Sequence, residues 1–394
     1  MQEIAVKNRI QSIDLLRGIV MIVMALDHCR DFLHIGNYID QDPLDFETTT
    51  PFLFLTRWIT HYCAPVFVFL SGTSIFFMSQ RKSKTELFRF LFTRGLWLII
   101  MELTIINWGW AGNLSYAFAG LQVIWAIGIS MVFFSGLIFL PGRILAGLGL
   151  LIVFGHNLFD SFDFLATDDF SGFMWALLHT THIFKVSPTF SFAVFYPFVP
   201  WLGLMICGYG LGQLYAPTVD RETRKRNLLY LGFGCILLFV ALRSGNFYGD
   251  SFHWKHQATS IFTLLSFVDT TKYPPSLLYM LMTIGPALIF LAVAENLKNA
   301  LTKIIVVFGR VPFFYYILHL YLFHLMAVLW YLFIGNSLSD LHHQNFGGFP
   351  DGFGLGLGWV YLAWFSGVTL LYFPCRWYDS YKTRHPEKRF LSYL

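Results

Sequence analysis

Apolar segments close to the length of a bilayer recur along the entire sequence. A membrane-spanning helix needs about 20 predominantly apolar residues, and we place ten such segments. They lie near residues 13–33, 58–79, 88–110, 115–140, 143–159, 192–213, 227–243, 275–295, 304–334 and 355–375. This pattern predicts an all-α fold, a polytopic membrane helix bundle of about ten transmembrane helices. Only 13% of the 394 residues are charged, about half the share in ordinary soluble domains, which disfavours a soluble enzyme and a nucleic-acid-binding protein.

The distribution of positive charge predicts the orientation of the bundle. An even number of spans puts both termini on one side. If the ten spans cross the membrane in turn, 21 of the 27 Lys and Arg residues lie on that side. Because cations are retained on the cytoplasmic side, we expect both termini in the cytoplasm and a multi-pass protein of the inner (plasma) membrane. No linker is long or polar enough to divide the chain, so we treat residues 1–394 as a single integral-membrane domain.

The groups that carry chemistry fall mainly toward the opposite side. In this predicted topology, nine of the 13 His residues lie in or toward the outer half of the membrane, and the longer loops are also external. The five Cys residues include no Cys-x-x-Cys pair, which argues against a zinc or iron–sulfur site. His179 and His182 have a spacing compatible with a shared metal, but no acidic or cysteine ligand completes them locally. We therefore expect a reaction centre that faces outward and contains no metal.

The first span carries charged residues at both of its ends. Ser12-Ile13-Asp14-Leu15-Leu16-Arg17-Gly18 opens it, and Asp27-His28-Cys29-Arg30-Asp31 closes it. The apolar run is not followed by a small-residue cleavage site, so we expect this helix to be retained. Charged residues at the end of an apolar helix are costly unless they face protein or water. This cost favours a functional role for the closing cluster.

Arg17 and His28 share one face of this predicted helix. They are 11 residues apart, which is about 16 Å along the axis and within about 20° of three full turns. A guanidinium near one membrane surface and an imidazole near the other suit a long ligand with an anionic head and a reactive far end, as coenzyme A thioesters have. Asp31 lies on the same face and could orient the His28 ring or stabilise its protonated form. Asp27 is expected to pair with Arg30.

These residues resemble the pattern of the transmembrane acyltransferase superfamily. Arg17, ten intervening residues and His28, in a span that opens with Asp-x-x-Arg-Gly, resemble both its acyltransferase-3 proteins and its heparan-alpha-glucosaminide N-acetyltransferase group. Four further blocks resemble the bacterial branch related to the heparan enzyme, and together they span most of the chain. They are APVFVFLSG at 64–72, YPFVPWLG at 196–203, YPPSLLY at 273–279 and FGRVPFFYYILH at 308–319.

The resemblance implies a membrane acyltransferase that moves an acetyl (acyl) group from cytoplasmic acyl-CoA to an extracytoplasmic acceptor. It implies acetyl-CoA as co-substrate and a hydroxyl or amine of a carbohydrate or glycolipid as acceptor. By the same resemblance His28 is the catalytic histidine and Arg17 is the paired arginine. A histidine can act as general base on the acceptor or form a covalent acyl intermediate, and both routes stay open at this point. O- or N-acylation, the acyl chain and the oligomeric state are open as well.

Three further residues complete the predicted site. His319 could meet His28 in the outer half of the bundle, and we assign it with His28 and Asp31 to the catalytic set. Arg94 and Arg310 lie near the predicted cytoplasmic boundary, where together with Arg17 they could bind the phosphates of coenzyme A. Positive-inside anchoring explains any one of these arginines without a ligand.

A polytopic membrane transporter is the main alternative function, since buried charges are common among transporters. Against it, the sequence has no matching halves, and its charged groups concentrate on one helix. In the apolar third span, Glu102 is either functional or a neutral group hydrogen-bonded beside Asn107. His61, at the outer end of the second span, is expected to be an interfacial histidine held by hydrogen bonds.

Overall fold

A computed structural model describes residues 10–35, 42–112, 117–341, 349–350 and 352–392. The protein is 72% helical. Two of the outer-half histidines of the sequence prediction, His342 and His343, lie outside the described residues. The α-helices of the described residues are α1 (Gln11–Leu33), α2 (Pro51–Thr60), α3 (Cys63–Ser79), α4 (Lys84–Met101), α5 (Asn107–Ala111), α6 (Val123–Leu137), α7 (Gly142–Gly155), α8 (Phe170–Leu178), α9 (Phe198–Gly212), α10 (Arg221–Gly245), α11 (Ser260–Val268), α12 (Leu277–Ala294), α13 (Ala300–Arg310), α14 (Pro312–Phe333) and α15 (Leu357–Arg384).

Seven helical segments among the described residues are long and apolar enough to cross a membrane. They are Pro51–Ser79, Lys84–Ala111, Gly142–Leu165, Arg221–Gly245, Leu277–Ala294, Pro312–Phe333 and Leu357–Arg384. Helix α1 is not among them and carries charged residues at both ends, and α6 and α9 have only 15 residues each. The chain is therefore a helical, multi-pass membrane protein, whereas the count of ten spans stays a prediction.

A small β-sheet interrupts the helices and corrects the expectation of an all-α fold. It contains β1 (Phe118–Leu121), β2 (His182–Ser187) and β3 (Phe190–Val194), in the order β1-β3-β2. β3 pairs in parallel with β1 and antiparallel with β2. Two predicted spans, 115–140 and 192–213, therefore begin with a strand and become helical only afterwards. A short apolar run has the same composition in a buried strand as in a helix, so hydrophobicity could not separate them.

Two other predicted spans are divided into two helices. The segment 304–334 contains the end of α13 and all of α14, which are separated at Val311. Pro312 is the first residue of α14, where its missing N–H costs nothing, but it could not continue the preceding helix without losing a hydrogen bond. The second predicted span, 58–79, likewise contains the end of α2 and all of α3, with a turn at His61 and Tyr62.

Helix α1 lies inside the bundle, packed against α2, α3, α12, α13, α14 and α15. It lies close to α13 at Gly18, where a Cβ would collide with the Ile305 carbonyl. Arg310 joins the ends of three helices: its guanidinium lies 3.8 Å from Asp14 on α1 and 3.4 Å from Asp379 on α15. The first turn of α1 and the end of α15 are therefore on the same side of the bundle. The assignment of that side to the cytoplasm stays a prediction.

Candidate active site

Two histidine rings from α1 and α14 meet inside the bundle. His28 Nδ1 lies 2.8 Å from His319 Nε2, and His319 Nδ1 lies 2.8 Å from the Tyr315 carbonyl oxygen one turn earlier on α14. A carbonyl only accepts, so His319 Nδ1 carries the proton that it donates to Tyr315. In the neutral pair, His319 Nε2 must then accept from His28 Nδ1–H. His28 Nε2 is left with a free lone pair, and it has no hydrogen-bond partner among the described residues.

His28 faces a cavity of about 300 Å³. Aromatic rings shape the wall around it: the centroid of the His28 ring is 4.8 Å from that of Trp110 and 5.8 Å from that of Tyr316. Both contacts are edge-to-face, which fixes the plane of the imidazole. The sheet supplies part of the same wall through Phe118 of β1 and Ile183 of β2. The cavity therefore combines an oriented imidazole with a largely apolar lining.

Asp27 is the centre of a buried ion-pair network beside His28. It accepts a hydrogen bond from Arg30 at 3.0 Å and a second from Arg57 of α2. Arg30 also donates to Asp31 at 2.6 Å. The expected pairing of Asp27 with Arg30 is confirmed. The hydrogen bonds of Asp31 to described residues come from Arg30, so His319 rather than Asp31 holds the His28 ring.

Two cations of the cavity wall, Arg57 and Lys272, were not anticipated from the sequence. Lys272 immediately precedes the Tyr273-Pro274-Pro275 block, and its ammonium group lies 5.0 Å from the centroid of the Tyr273 ring. Burial tends to raise the pKa of the Tyr273 phenol, but the positive charges of Lys272 and Arg57 outweigh it, so this pKa lies below its usual value. The sequence features that could have identified these two residues are a single Arg in the apolar helix α2 and a Lys beside a Pro-rich block.

The three arginines assigned to coenzyme A lie toward the other end of α1 from His28. Arg17 donates to Asp14 at 3.3 Å, to the Gly309 carbonyl at 3.3 Å and to Ser74 at 3.0 Å. Arg310 also contacts Asp14 and is therefore close to Arg17.

Arg94 of α4 lies over an aromatic side chain that connects it to the cavity wall. Its guanidinium lies 5.8 Å from the centre of the Trp97 ring. Trp97 in turn packs at 5.1 Å against Phe313, which lines the cavity.

The remaining sequence candidates have structural partners or lie apart from His28. The Glu102 carboxylate accepts from the Trp125 backbone N–H at 2.9 Å. Asn107 binds the Glu102 carbonyl and both backbone groups of Gly120, so the two residues join α4 and α5 to β1 and α6. His324 hydrogen-bonds the Gly109 carbonyl at 2.7 Å.

His61 differs from its expectation. Its ring is fully buried, and neither ring nitrogen has a hydrogen-bond partner in the part of the chain that the structure describes. The prediction of an interfacial histidine held by hydrogen bonds is wrong for this side chain. Its backbone carbonyl accepts from the Tyr279 hydroxyl, so the residue contributes to packing between α2 and α12.

A comparison with known protein families decides between the functional classes. The profile described as heparan-alpha-glucosaminide N-acetyltransferase, catalytic, matches residues 9–248. The chain belongs to this family. Arg17, His28, Asp31 and Arg94 lie within the matched residues of this acetyltransferase, whereas Arg310 and His319 follow them. No curated protein gives a significant match.

Membership of this family confirms the resemblance to the heparan-acetyltransferase group, while the resemblance to acyltransferase-3 proteins stays a prediction. The family uses acetyl-CoA as donor. The protein is therefore a multi-pass membrane acetyltransferase, and the transporter alternative is not favoured.

Proposed function

We propose that the protein transfers an acetyl group from cytoplasmic acetyl-CoA to a hydroxyl or amine of an extracytoplasmic carbohydrate or glycolipid, in the inner membrane. The observation that carries this proposal is the hydrogen-bonded series from the Tyr315 carbonyl through His319 to His28. It presents a basic imidazole nitrogen at a cavity in a member of an acetyltransferase family. This is the group that an acyl transfer requires, whether it acts as base or as nucleophile.

In the proposed reaction, His28 acts as general base. Its Nε2 takes the proton of the acceptor O–H or N–H while the acceptor atom attacks the thioester carbonyl carbon. The tetrahedral intermediate then collapses, the carbon–sulfur bond breaks, and the proton on His28 is returned to the sulfur, giving coenzyme A thiol and the acetylated acceptor. We take the general-base route, in which the Asp27 carboxylate, which lines the same cavity, would partly offset the charge of the imidazolium that forms.

The charged groups of the cavity wall can stabilise the negative charge that develops during the reaction. The thioester oxygen gains negative charge in the tetrahedral intermediate, and fixed cations in a site with little water stabilise that charge strongly. Arg57 and Lys272 both line the cavity. Arg57 is held by Asp27, whereas Lys272 forms no salt bridge within the described residues. We therefore assign the stabilisation of the oxyanion to Lys272, with Arg57 as a second source of positive potential.

The donor would extend from Arg17 to His28. Helix α1 is continuous from Gln11 to Leu33, so the two side chains are separated by about 16 Å along one face. On the His28 side, the cavity is lined by apolar groups, among them Met24 on α1 and Phe67 on α3. Phosphates near Arg17, Arg94 and Arg310 would leave the uncharged arm of coenzyme A to run along this apolar wall toward His28.

The proposal is tested with the purified protein, labelled acetyl-CoA and a panel of sugars that carry amine or hydroxyl acceptors. Labelled product is expected only when both substrates are present, and His28→Ala should reduce its rate at least about 100-fold. His385→Ala, which removes a histidine beyond the last turn of α15, serves as the matched control and should retain activity. Release of label by alkaline hydroxylamine distinguishes an O-acetyl from an N-acetyl product.

Two results would contradict the proposal. Full turnover by His28→Gln would remove His28 from the chemistry altogether. Label that forms on the wild-type protein in the absence of acceptor, is lost in His28→Ala and is released rapidly by acid and by neutral hydroxylamine, as an acyl-imidazole is, would replace the general-base route with a covalent acetyl-histidine.

A further inference from the structure

A second cluster of titratable side chains lies apart from the cavity residues used above. His156 follows the last turn of α7, Asp160 follows one turn later in the 3₁₀-helical segment His156–Leu165, and His179 caps the end of α8. One ligand atom from each residue can be chosen so that all three lie within 4.8 Å of one another. His179 and Asp160 already touch, with Nε2 and Oδ1 3.0 Å apart.

The third member of the cluster, His156, is buried without a hydrogen-bond partner among the described residues, as His61 is, but it differs from His61 in having two further metal-binding side chains beside it. Its side chain is 3% exposed, and neither ring nitrogen has a hydrogen-bond partner in the part of the chain that the structure describes. A buried polar group without a partner costs about 1–3 kcal/mol of folding free energy, so an imidazole at this position is less favourable than an apolar side chain of similar size. Its ring lies 6.1 Å from that of His179, centroid to centroid. A ligand that binds an imidazole lone pair would remove this cost.

The carboxylate of the cluster is held in place by neighbours. The second oxygen of Asp160 accepts from Asn157 at 2.9 Å and from Ser251 at 3.4 Å. Its first oxygen faces His179. Such outer hydrogen bonds are what orient the carboxylate ligands of metal sites.

We propose that His156, Asp160 and His179 bind a divalent transition metal, Zn²⁺ being the best match. Two imidazoles and one carboxylate form a common zinc donor set, with a fourth position for water. Donors bound at about 2.0–2.2 Å in tetrahedral geometry are about 3.3–3.6 Å apart, so small side-chain movements would close the site. Zn²⁺ would take the place of the hydrogen bond between His179 and Asp160 and would bind a lone pair of His156.

The position of the cluster suggests what the metal would do. Asn157, between two of the ligands, accepts a hydrogen bond from the Leu277 N–H at the start of α12. His179 is followed after two residues by β2, whose Ile183 lines the cavity around His28. The metal would therefore connect the ends of α7 and α8 and stabilise the position of β2, which forms part of the cavity wall. This assigns it a structural role that does not depend on the proposed acetyl transfer.

The test uses the full-length protein in detergent, stripped with a chelator, dialysed against Zn²⁺ and assayed for bound metal and thermal midpoint. We expect about one Zn²⁺ per chain and a higher midpoint after zinc is restored. His156→Ala and Asp160→Asn should each weaken zinc binding at least tenfold. His182→Ala is the matched control, because His182 forms a similar pair with Asp168 at 2.9 Å in the same region but has no third ligand among the described residues. It should bind zinc as the wild type does.

A measurement on the wild-type protein keeps the proposal testable if the variants do not fold. Co²⁺ in a four-coordinate protein site gives strong visible bands, which Zn²⁺ should abolish in stoichiometric amounts. Failure of the stripped wild-type protein to bind either ion would overturn the proposal, as would zinc binding by His156→Ala equal to that of the wild type. Neither readout involves acetyl transfer, so this proposal and the proposed function succeed or fail separately.

Discussion

A single backbone carbonyl sets the proton arrangement of the proposed catalytic pair. The Tyr315 oxygen fixes the proton of His319, and His319 in turn fixes that of His28. In this arrangement His319 does not touch the reacting atoms. It acts as a positioning residue that selects the His28 tautomer with a basic Nε2, a task that carboxylates often have in other histidine enzymes.

Replacement of His319 should therefore affect the rate and not the binding of the donor. We expect His319→Ala to lower kcat about 100-fold, with little change in the KM for acetyl-CoA, because general-base catalysis contributes about 10²–10⁴-fold. His319→Gln should recover part of the loss, since its amide oxygen can accept from His28 Nδ1. Steady-state kinetics of both variants test this. His324→Ala, on the same helix, is the control, and an equal loss of kcat in it would mean that packing alone explains the effect.

Arg17 should behave in the opposite way. If it binds a phosphate of coenzyme A together with Arg310 and Arg94, Arg17→Ala should raise the KM for acetyl-CoA about tenfold or more and leave the KM for the acceptor unchanged. Arg17→Lys should recover only part of the affinity because the planar fork is lost. Arg89→Ala, an exposed position of α4, controls for the loss of one positive charge. Donor affinity that is indifferent to Arg17, Arg94 and Arg310 alike would contradict the assignment.

Asp269, in the loop between α11 and α12, makes stability depend on pH. Burial, together with the nearby Asp250 carboxylate, raises its pKa to about 7, whereas the unfolded chain has a value near about 3.9. Between these two values the folded protein holds a proton that the unfolded chain releases, so the free energy of unfolding falls as the pH rises. We expect the thermal midpoint to fall between about pH 4 and pH 7, and Asp269→Asn to weaken this dependence. An unchanged profile in Asp269→Asn, compared with the exposed control Glu222→Gln, would contradict it.

At the residue scale, the sequence was informative wherever helical periodicity was enough. Arg17 and His28 lie on one continuous helix, so their spacing and shared face followed from 3.6 residues per turn. The neighbours of His179 could not be found in this way. Its proposed co-ligands, His156 and Asp160, lie in the 3₁₀-helical segment that follows α7, and only the folded chain brings them together. Arg57 and Lys272 are similar cases, since each reaches the cavity from a different segment.

At the scale of helices and strands, apolar length located segments that contain helix but did not predict their internal secondary structure. Each predicted span contains helical residues, but two begin in strands and two are divided by turns. The division at Val311 and Pro312 has a consequence for the site, because it lets α13 pack closely against the start of α1 while α14 carries His319 to His28. A single straight helix could not make both the contact of α13 with the start of α1 and the contact of His319 with His28.

The contact between α1 and α13 depends on small residues. A Cβ on Gly18 would collide with the backbone carbonyl of Ile305, which cannot rotate away as a side chain can. We expect Gly18→Ala to destabilise the protein by about 1–3 kcal/mol, the usual cost of overpacking, and to move Arg17 and Arg310 apart. Gly234→Ala on α10, where nothing lies within 4 Å of the added Cβ, is the matched control and should be neutral or slightly stabilising. Equal thermal midpoints for the two variants would contradict the close packing.

For the whole molecule, six Lys and Arg residues are assigned to the outer side, against the overall bias toward the cytoplasmic side. They are Arg30, Arg57, Lys185, Arg243, Lys255 and Lys272. Four of them, Arg30, Arg57, Arg243 and Lys272, are at most 9% exposed. Arg243 binds the backbone carbonyls of Ser266 and Phe267. Arg57 and Lys272 line the cavity, and Arg30 pairs with Asp27 and Asp31. These buried cations are held by protein contacts and not at the lipid surface, so they do not weaken the orientation that the remaining charges predict.

Sidedness is the prediction that joins this charge distribution to the chemistry. If the side that holds Arg17 and the ends of α1 and α15 faces the cytoplasm, His28 lies about 16 Å farther outward, and donor and acceptor must approach from opposite sides. In sealed, right-side-out proteoliposomes, acetyl-CoA supplied inside should acetylate an impermeant sugar supplied only outside, and the reversed arrangement should give no product. Detergent-permeabilised vesicles control for active enzyme in both arrangements. Transfer that requires both substrates on the same side would refute the through-membrane route even in an active acetyltransferase.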